Sequence, residues 1–150
     1  SEMCIRDRIG ALIAKSTPKQ QAASSDYGRH IGMAFQLMDD VLDYDGDVKD
    51  LGKNIGDDFA EGKTTLPLIY AMKNGTKKQS LMIQEAIKNA TFDKLDAIFD
   101  VIKITRALDY TKSCAHTHAL KAIQCIKNLP DTKEKRAMIE IAKFSVERSF

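Results

Sequence analysis

A chain of 150 residues, 43% hydrophobic and 29% charged, has the make-up of a globular protein with room for one sizeable core. Lys and Arg number 23 against 21 Asp and Glu, and a net charge of +2 excludes the basic footprint of a nucleic-acid-binding domain. Three widely spaced cysteines (Cys4, Cys114, Cys125) imply no disulfide framework and fit a reducing cytoplasm, and no apolar run is long enough for a transmembrane segment.

Residues 1–8 (SEMCIRDR) show no helical period and are expected to be a non-native leader, which leaves 9–150 as the domain. Residues 9–15 read as the tail of a helix. Thr17-Pro18-Lys19-Gln20 is a helix start, with Thr17 as N-cap, Pro18 in the first turn and Gln20 completing a capping box. From there a helix of about 27 residues can run to Tyr44 or Asp45, longer than the usual globular helix. Gly28 and Gly32, four apart on it, suit close packing.

Residues 45–57 read as a loop punctuated by Gly46, Gly52 and Gly56, and Asp58 with Glu61 can cap a short turn broken at Gly62. Pro67 suits the start of a helix that Asn74-Gly75 ends. Thr76 and Gln79 form the next capping box, before an amphipathic helix with Leu81, Ile83, Ala86 and Ile87 on its apolar side. Thr91 can cap a helix carrying Phe92, Leu95, Ile98, Phe99 and Ile102 at spacings of three and four. A longer helix follows to about Asn128, with Leu108, Ala115, Ala119, Ala122 and Ile126 in line, until Pro130 stops it. Asp131 with Glu134 is expected to cap the last helix, which ends near Phe150. No stretch alternates as a strand does, so the predicted fold class is all-α.

One stretch breaks the local rules. On the long helix, Gly32, Gln36, Asp39, Asp40 and Asp43 fall within an arc of about 100°. Ile31, Ala34, Phe35, Met38, Val41 and Leu42 occupy the opposite side. Aspartate is a poor interior helix residue, and like charges three and four apart repel. Alone, such a stripe is most simply a solvated acidic face. Two lysines downstream, Lys53 and Lys63, each follow a glycine and change that reading. Adjacent oxygen ligands with no His or Cys among them suit a hard cation such as Mg²⁺, held by one or two carboxylates and by substrate phosphates. Lysines supply the remaining charge that phosphates need. Together these residues predict a diphosphate site.

Other constellations fail. Counted from Asp43, an EF-hand loop would need Gly at Val48 and Glu at Asn54. Cys114, His116 and His118 lie two apart on a helix and point away from one another, so they cannot share a metal. His30 stands alone in the sequence. Neither Gly-rich phosphate fingerprint is present.

The run GMAFQLMDDVLDYDGDVKDLGKNIGDDFAEGKTTLPLIYA, residues 32–71, closely resembles the second aspartate-rich region of the trans-isoprenyl (polyprenyl) diphosphate synthases, with the character of the bacterial long-chain (octaprenyl) enzymes. F-Q-x-x-D-D-x-x-D, G-K and E-G-K occur together at that family's spacings. The resemblance implies an all-α isoprenoid-synthase bundle around a deep cavity, homodimeric at full length and cytoplasmic. It implies a prenyltransferase that condenses isopentenyl diphosphate with an allylic diphosphate through Mg²⁺. By the same resemblance, Asp39 and Asp43 would be metal ligands, with Asp40 a ligand or its close partner. Lys53 would contact the allylic diphosphate and Lys63 would neutralise the same site. Phe35 and Gln36 would line the isopentenyl side, and Asp57 or Asp58 would orient Lys53 or a metal-bound water.

The likeness covers only about the C-terminal half of the family's usual length. The family's first aspartate motif, its upstream basic residues and its Lys-Thr pair have no counterpart here, so product length cannot be read and the chain alone is expected to be inactive. An alternative is a non-catalytic partner subunit of a heteromeric synthase, although such a subunit has no need of metal-binding residues. A related terpene cyclase is disfavoured by the G-K and E-G-K pattern.

Overall fold

The computed structural model describes residues 2–44, 63–89 and 94–147. These form seven α-helices and no strand: α1 (Glu2–Ile13), α2 (Pro18–Leu42), α3 (Leu66–Asn74), α4 (Lys77–Asn89), α5 (Leu95–Ile104), α6 (Ala107–Cys125) and α7 (Lys133–Glu147). The chain divides into two compact units, 1–38 with 113–150, and 39–112. Helices α2 and α6 each run from one unit into the other.

Helix α1 begins at Glu2 and passes through residues 8 and 9 without a break, so the stretch read as the tail of a helix continues one that starts within the residues in which no period was legible. Ile5, Ile9 and Leu12 have helical spacing, but 59%, 49% and 50% of each is exposed, so this face contributes little burial. Lys15 takes a left-handed φ of 52° and stops the helix, after which the Ser16 N–H donates to the Ala11 carbonyl at 3.1 Å.

The capping box at the head of α2 forms as the sequence predicts. The Thr17 N–H donates to Gln20 Oε1 at 2.9 Å, and the Gln20 N–H donates back to Thr17 Oγ1 at 3.3 Å. In the first unit, Tyr27 and Ile31 of α2 are buried with Ala122 of α6, Ile126 just beyond it and Ala142 of α7. The Tyr27 hydroxyl donates to the Met138 carbonyl at 2.9 Å, satisfying a polar tip inside an otherwise apolar contact. Past the end of α6, Lys135 Nζ donates to the carbonyls of Lys127 and Leu129, both at 2.7 Å. Both carbonyls belong to the turn that follows the helix. The cap of α7 sits one residue later than expected: Thr132 Oγ1 accepts from the Lys135 N–H at 3.2 Å. Asp131 instead makes a two-pronged pair with Arg136 at 3.1 and 2.8 Å.

In the second unit, α3, α4 and α5 pack on one another around Leu68, Ala71, Ile83, Ala86, Ile98, Val101 and Ile102, with Tyr44 and Ala107 closing the cluster. Thr76 and Gln79 form the predicted capping box, at 2.8 and 3.3 Å. Leu81, expected on the buried side of α4, is 49% exposed, because the helix turns Ile83 and Ala86 inward. Gly75 is demanded by space: a Cβ there would lie 2.9 Å from the Ala71 carbonyl. The predicted helix start at Thr91 lies outside the described residues.

Candidate functional site

Helix α2 holds the acidic stripe. Its regular hydrogen bonding ends at Leu42, and the Asp43 N–H still donates to the Asp39 carbonyl at 3.0 Å, which keeps Asp43 on the last turn with Asp39 and Asp40. The alternation of burial follows the helical period. Ile31, Ala34, Met38 and Val41 are buried, Phe35 and Leu42 half-buried, Gln36 and Asp39 exposed, and Asp40 and Asp43 half-buried. The apolar face predicted from spacing is thus the inward face, and the carboxylates stand at its edge. Phe35 packs against the core of the first unit, and Gln36 lies one turn before Asp39 and Asp40.

Just past the end of this helix lies a contact that sequence spacing does not reveal. Tyr44, 6% exposed, places its hydroxyl 2.8 Å from Thr65 Oγ1, itself 8% exposed. The Tyr44 ring is also met edge-on by Phe99, with centroids 6.1 Å apart. Thr65 is the N-cap of α3, and Lys63, exposed, precedes it by two residues. The bond therefore joins the last turn of the carboxylate helix to the backbone next to Lys63, and both ends of the intervening segment are held at one place in the second unit. Lys53, Asp57 and Asp58, and the predicted glycine loop and capped turn, lie outside the described residues.

Among the described residues, no group of three or more His, Cys, Asp or Glu side chains is placed to hold a metal ion by itself. The all-oxygen donor set of Asp39, Asp40 and Asp43 fits a hard cation that takes one or two carboxylates from the protein and its other ligands from water and phosphate. It does not fit a structural zinc site, which would need four protein ligands of N or S type.

One further pair escaped the sequence. His30 does not stand alone: its Nδ1 lies 3.0 Å from Nδ1 of His118, across α2 and α6 of the first unit, with ring centroids 5.1 Å apart. Partial burial holds both imidazoles below the usual histidine range, and nearby Arg29 and Lys121 push the same way. His116, two residues before His118 on α6, is exposed.

With this geometry in place, similarity to known proteins becomes informative. The sequence model of the polyprenyl synthetase family matches residues 3–105. The chain belongs to that family. It is 44% identical over 149 residues to the octaprenyl diphosphate synthase of Haemophilus influenzae, covering 97% of this chain and 45% of the relative. It is 42% identical over 142 residues to the octaprenyl diphosphate synthase of Escherichia coli, covering 94% and 44%. The chain therefore spans less than half the length of these curated relatives. Its fold resembles the crystal structure of a polyprenyl synthase from Roseobacter denitrificans, with a TM-score of 0.87, 31% identity, and coverage of 98% of this chain and 48% of that one. A polyprenyl synthase from Caulobacter crescentus, complexed with calcium and isoprenyl diphosphate, superposes with a TM-score of 0.83 at 36% identity, covering 97% and 45%. The all-α isoprenoid-synthase fold expected from the sequence is the observed one. Among the described residues, no helix is long and apolar enough to cross a membrane.

Proposed function

We propose that this chain is the C-terminal part of a cytoplasmic trans-polyprenyl diphosphate synthase, a prenyltransferase that lengthens an allylic diphosphate with isopentenyl diphosphate. The observation that carries this reading is the carboxylate stripe on α2, followed by the buried Tyr44–Thr65 bond beside Lys63, inside the stretch matched by the family.

In this reading Asp39 and Asp43 are ligands for Mg²⁺, and Asp40 is a ligand or orients one. When bound, Mg²⁺ offsets the negative charge of the diphosphate and so makes pyrophosphate a better leaving group. Lys53 and Lys63 add fixed positive charge to the same oxygens, which is most effective where it develops in the transition state. Departure of pyrophosphate leaves an allylic cation, and the isopentenyl double bond attacks it. The proton then lost passes to pyrophosphate. Phe35 and Gln36 line the isopentenyl side. The half-buried Asp40 and Asp43 present their charge at the edge of an apolar face, where desolvation strengthens it.

The chain by itself supplies one carboxylate cluster, so it binds but does not turn over; the complete enzyme is a homodimer. The assay is incorporation of labelled isopentenyl diphosphate into an allylic acceptor with Mg²⁺. The 150-residue chain gives no product in it. Product formed by the isolated chain at a rate that Asp39→Ala abolishes would overturn its inactivity while supporting the chemistry.

A further inference from the structure

We infer that His30 and His118 form a two-coordinate protein site for a borderline divalent transition metal such as Ni²⁺, separate from the carboxylates of α2. The two rings come from different helices, 88 residues apart in sequence, and turn the same atom, Nδ1, toward one another at 3.0 Å. With metal–nitrogen bonds near 2.05 Å, a 3.0 Å separation of the donors subtends about 94° at the metal. That is close to the right angle between neighbouring ligands of a tetragonal or octahedral ion, and well short of the tetrahedral angle that Zn²⁺ prefers. Imidazole is also a suitable donor for Ni²⁺ and a poor one for Mg²⁺.

Without metal, the contact is a hydrogen bond in which one Nδ1 carries the hydrogen and the other accepts it. Binding requires both Nδ1 atoms as acceptors. The ring that carries the hydrogen there shifts to its Nε2–H tautomer, and no net proton is released. Both side chains are half-buried rather than enclosed, so water can complete the coordination. Among the described residues no third His, Cys, Asp or Glu joins the pair, which limits the protein's share to two ligands. The surrounding charge works against the site, since Arg29 and Lys121 outweigh Asp26, whose carboxylate is already held by Arg29 at 3.1 Å. Affinity therefore rests on the two metal–nitrogen bonds, and losing either imidazole removes the chelate.

The test is titration of the 150-residue chain with NiCl₂ alone, followed by calorimetry. One equivalent is expected to bind, with affinity at least tenfold weaker in His30→Ala and in His118→Ala. His116→Ala, which changes an exposed histidine two residues away on the same helix, is expected to bind as the parent does. Parent-like affinity in both His30→Ala and His118→Ala, or loss confined to Asp39→Ala, would overturn the assignment. Should either histidine variant fail to fold, substoichiometric Ni²⁺ added to the unaltered chain provides the same decision by NMR. The His30 and His118 ring signals are expected to broaden first, and broadening that begins at His116 instead would contradict the site.

Discussion

The Tyr44 hydroxyl and Thr65 Oγ1 lie 2.8 Å apart with both residues buried and Tyr44 two residues past the end of the carboxylate helix. One partner follows Asp43 directly and the other follows Lys63 by two residues. Asp43 and Lys63, on either side of the intervening segment, thereby flank a polar contact beside an apolar cluster of Leu68, Ile98 and Ile102. A hydroxyl left there without its partner keeps the full cost of losing water.

Tyr44→Phe is expected to lower the stability of the chain by about 1–3 kcal/mol, since Thr65 then retains a buried, unsatisfied hydroxyl. Thr65→Val should also destabilise, by loss of the same bond. The double variant is expected to be less destabilised than the sum, because both polar groups leave together. Urea unfolding monitored by circular dichroism measures all three, and strict additivity would show that the contact carries no coupling.

Asp39→Asn separates function from folding. Asp39 is exposed at the end of α2, and surface substitutions of this kind usually change stability by no more than about 0.5 kcal/mol. Affinity for Mg²⁺ with pyrophosphate should fall at least tenfold in the same variant. A parallel loss of helicity would instead make Asp39 a structural residue.

Acid should weaken the first unit through its histidine pair. The folded-state values of His30 and His118 lie below the ordinary value near 6.5, so in the unfolded chain they take up protons at higher pH than in the folded one. Their contribution to stability is therefore complete above about pH 6.5 and is lost as pH falls through the lowered folded-state values. Unfolding midpoints measured with chelator from pH 7.5 to 5 should decline on the acid side. The decline should be shallower in His30→Gln/His118→Gln. An equal decline in that variant would assign the effect to other groups.

Each unit has its own large buried side chain with which to probe packing. Ile98→Ala in the second unit and Ile126→Ala in the first are each expected to cost about 2–5 kcal/mol, because both side chains are fully buried. Gly75→Ala should also destabilise, despite alanine's better helix propensity, since its Cβ would meet the Ala71 carbonyl at 2.9 Å and Val101 at 3.3 Å. Thermal unfolding ranks the three against the parent.

What could be read from the sequence was what is local. The boxes Thr17–Gln20 and Thr76–Gln79 need only four consecutive residues, and both formed as expected. The acidic stripe of α2 followed from the helical period alone, as did the burial of Ile31, Ala34, Met38 and Val41 opposite it. At α7 two neighbouring caps competed. Asp131 was drawn away by Arg136, so Thr132 capped the helix, an outcome that depends on side-chain geometry rather than on spacing. The pairs Tyr44–Thr65 and His30–His118 join residues 21 and 88 positions apart, and no periodicity announces such contacts. The start of α1 at Glu2 was not legible, and Ile5, Ile9 and Leu12, which share its spacing, are largely exposed and so give no core-facing signal.

The most direct test of the diphosphate-site reading is calorimetric titration of the 150-residue chain with pyrophosphate, with and without Mg²⁺, repeated in Asp39→Ala/Asp43→Ala. Binding is expected only with Mg²⁺, and it should weaken at least tenfold in the double variant. Binding of equal strength without Mg²⁺, or unchanged by loss of both carboxylates, would contradict the role assigned to the carboxylate stripe of α2.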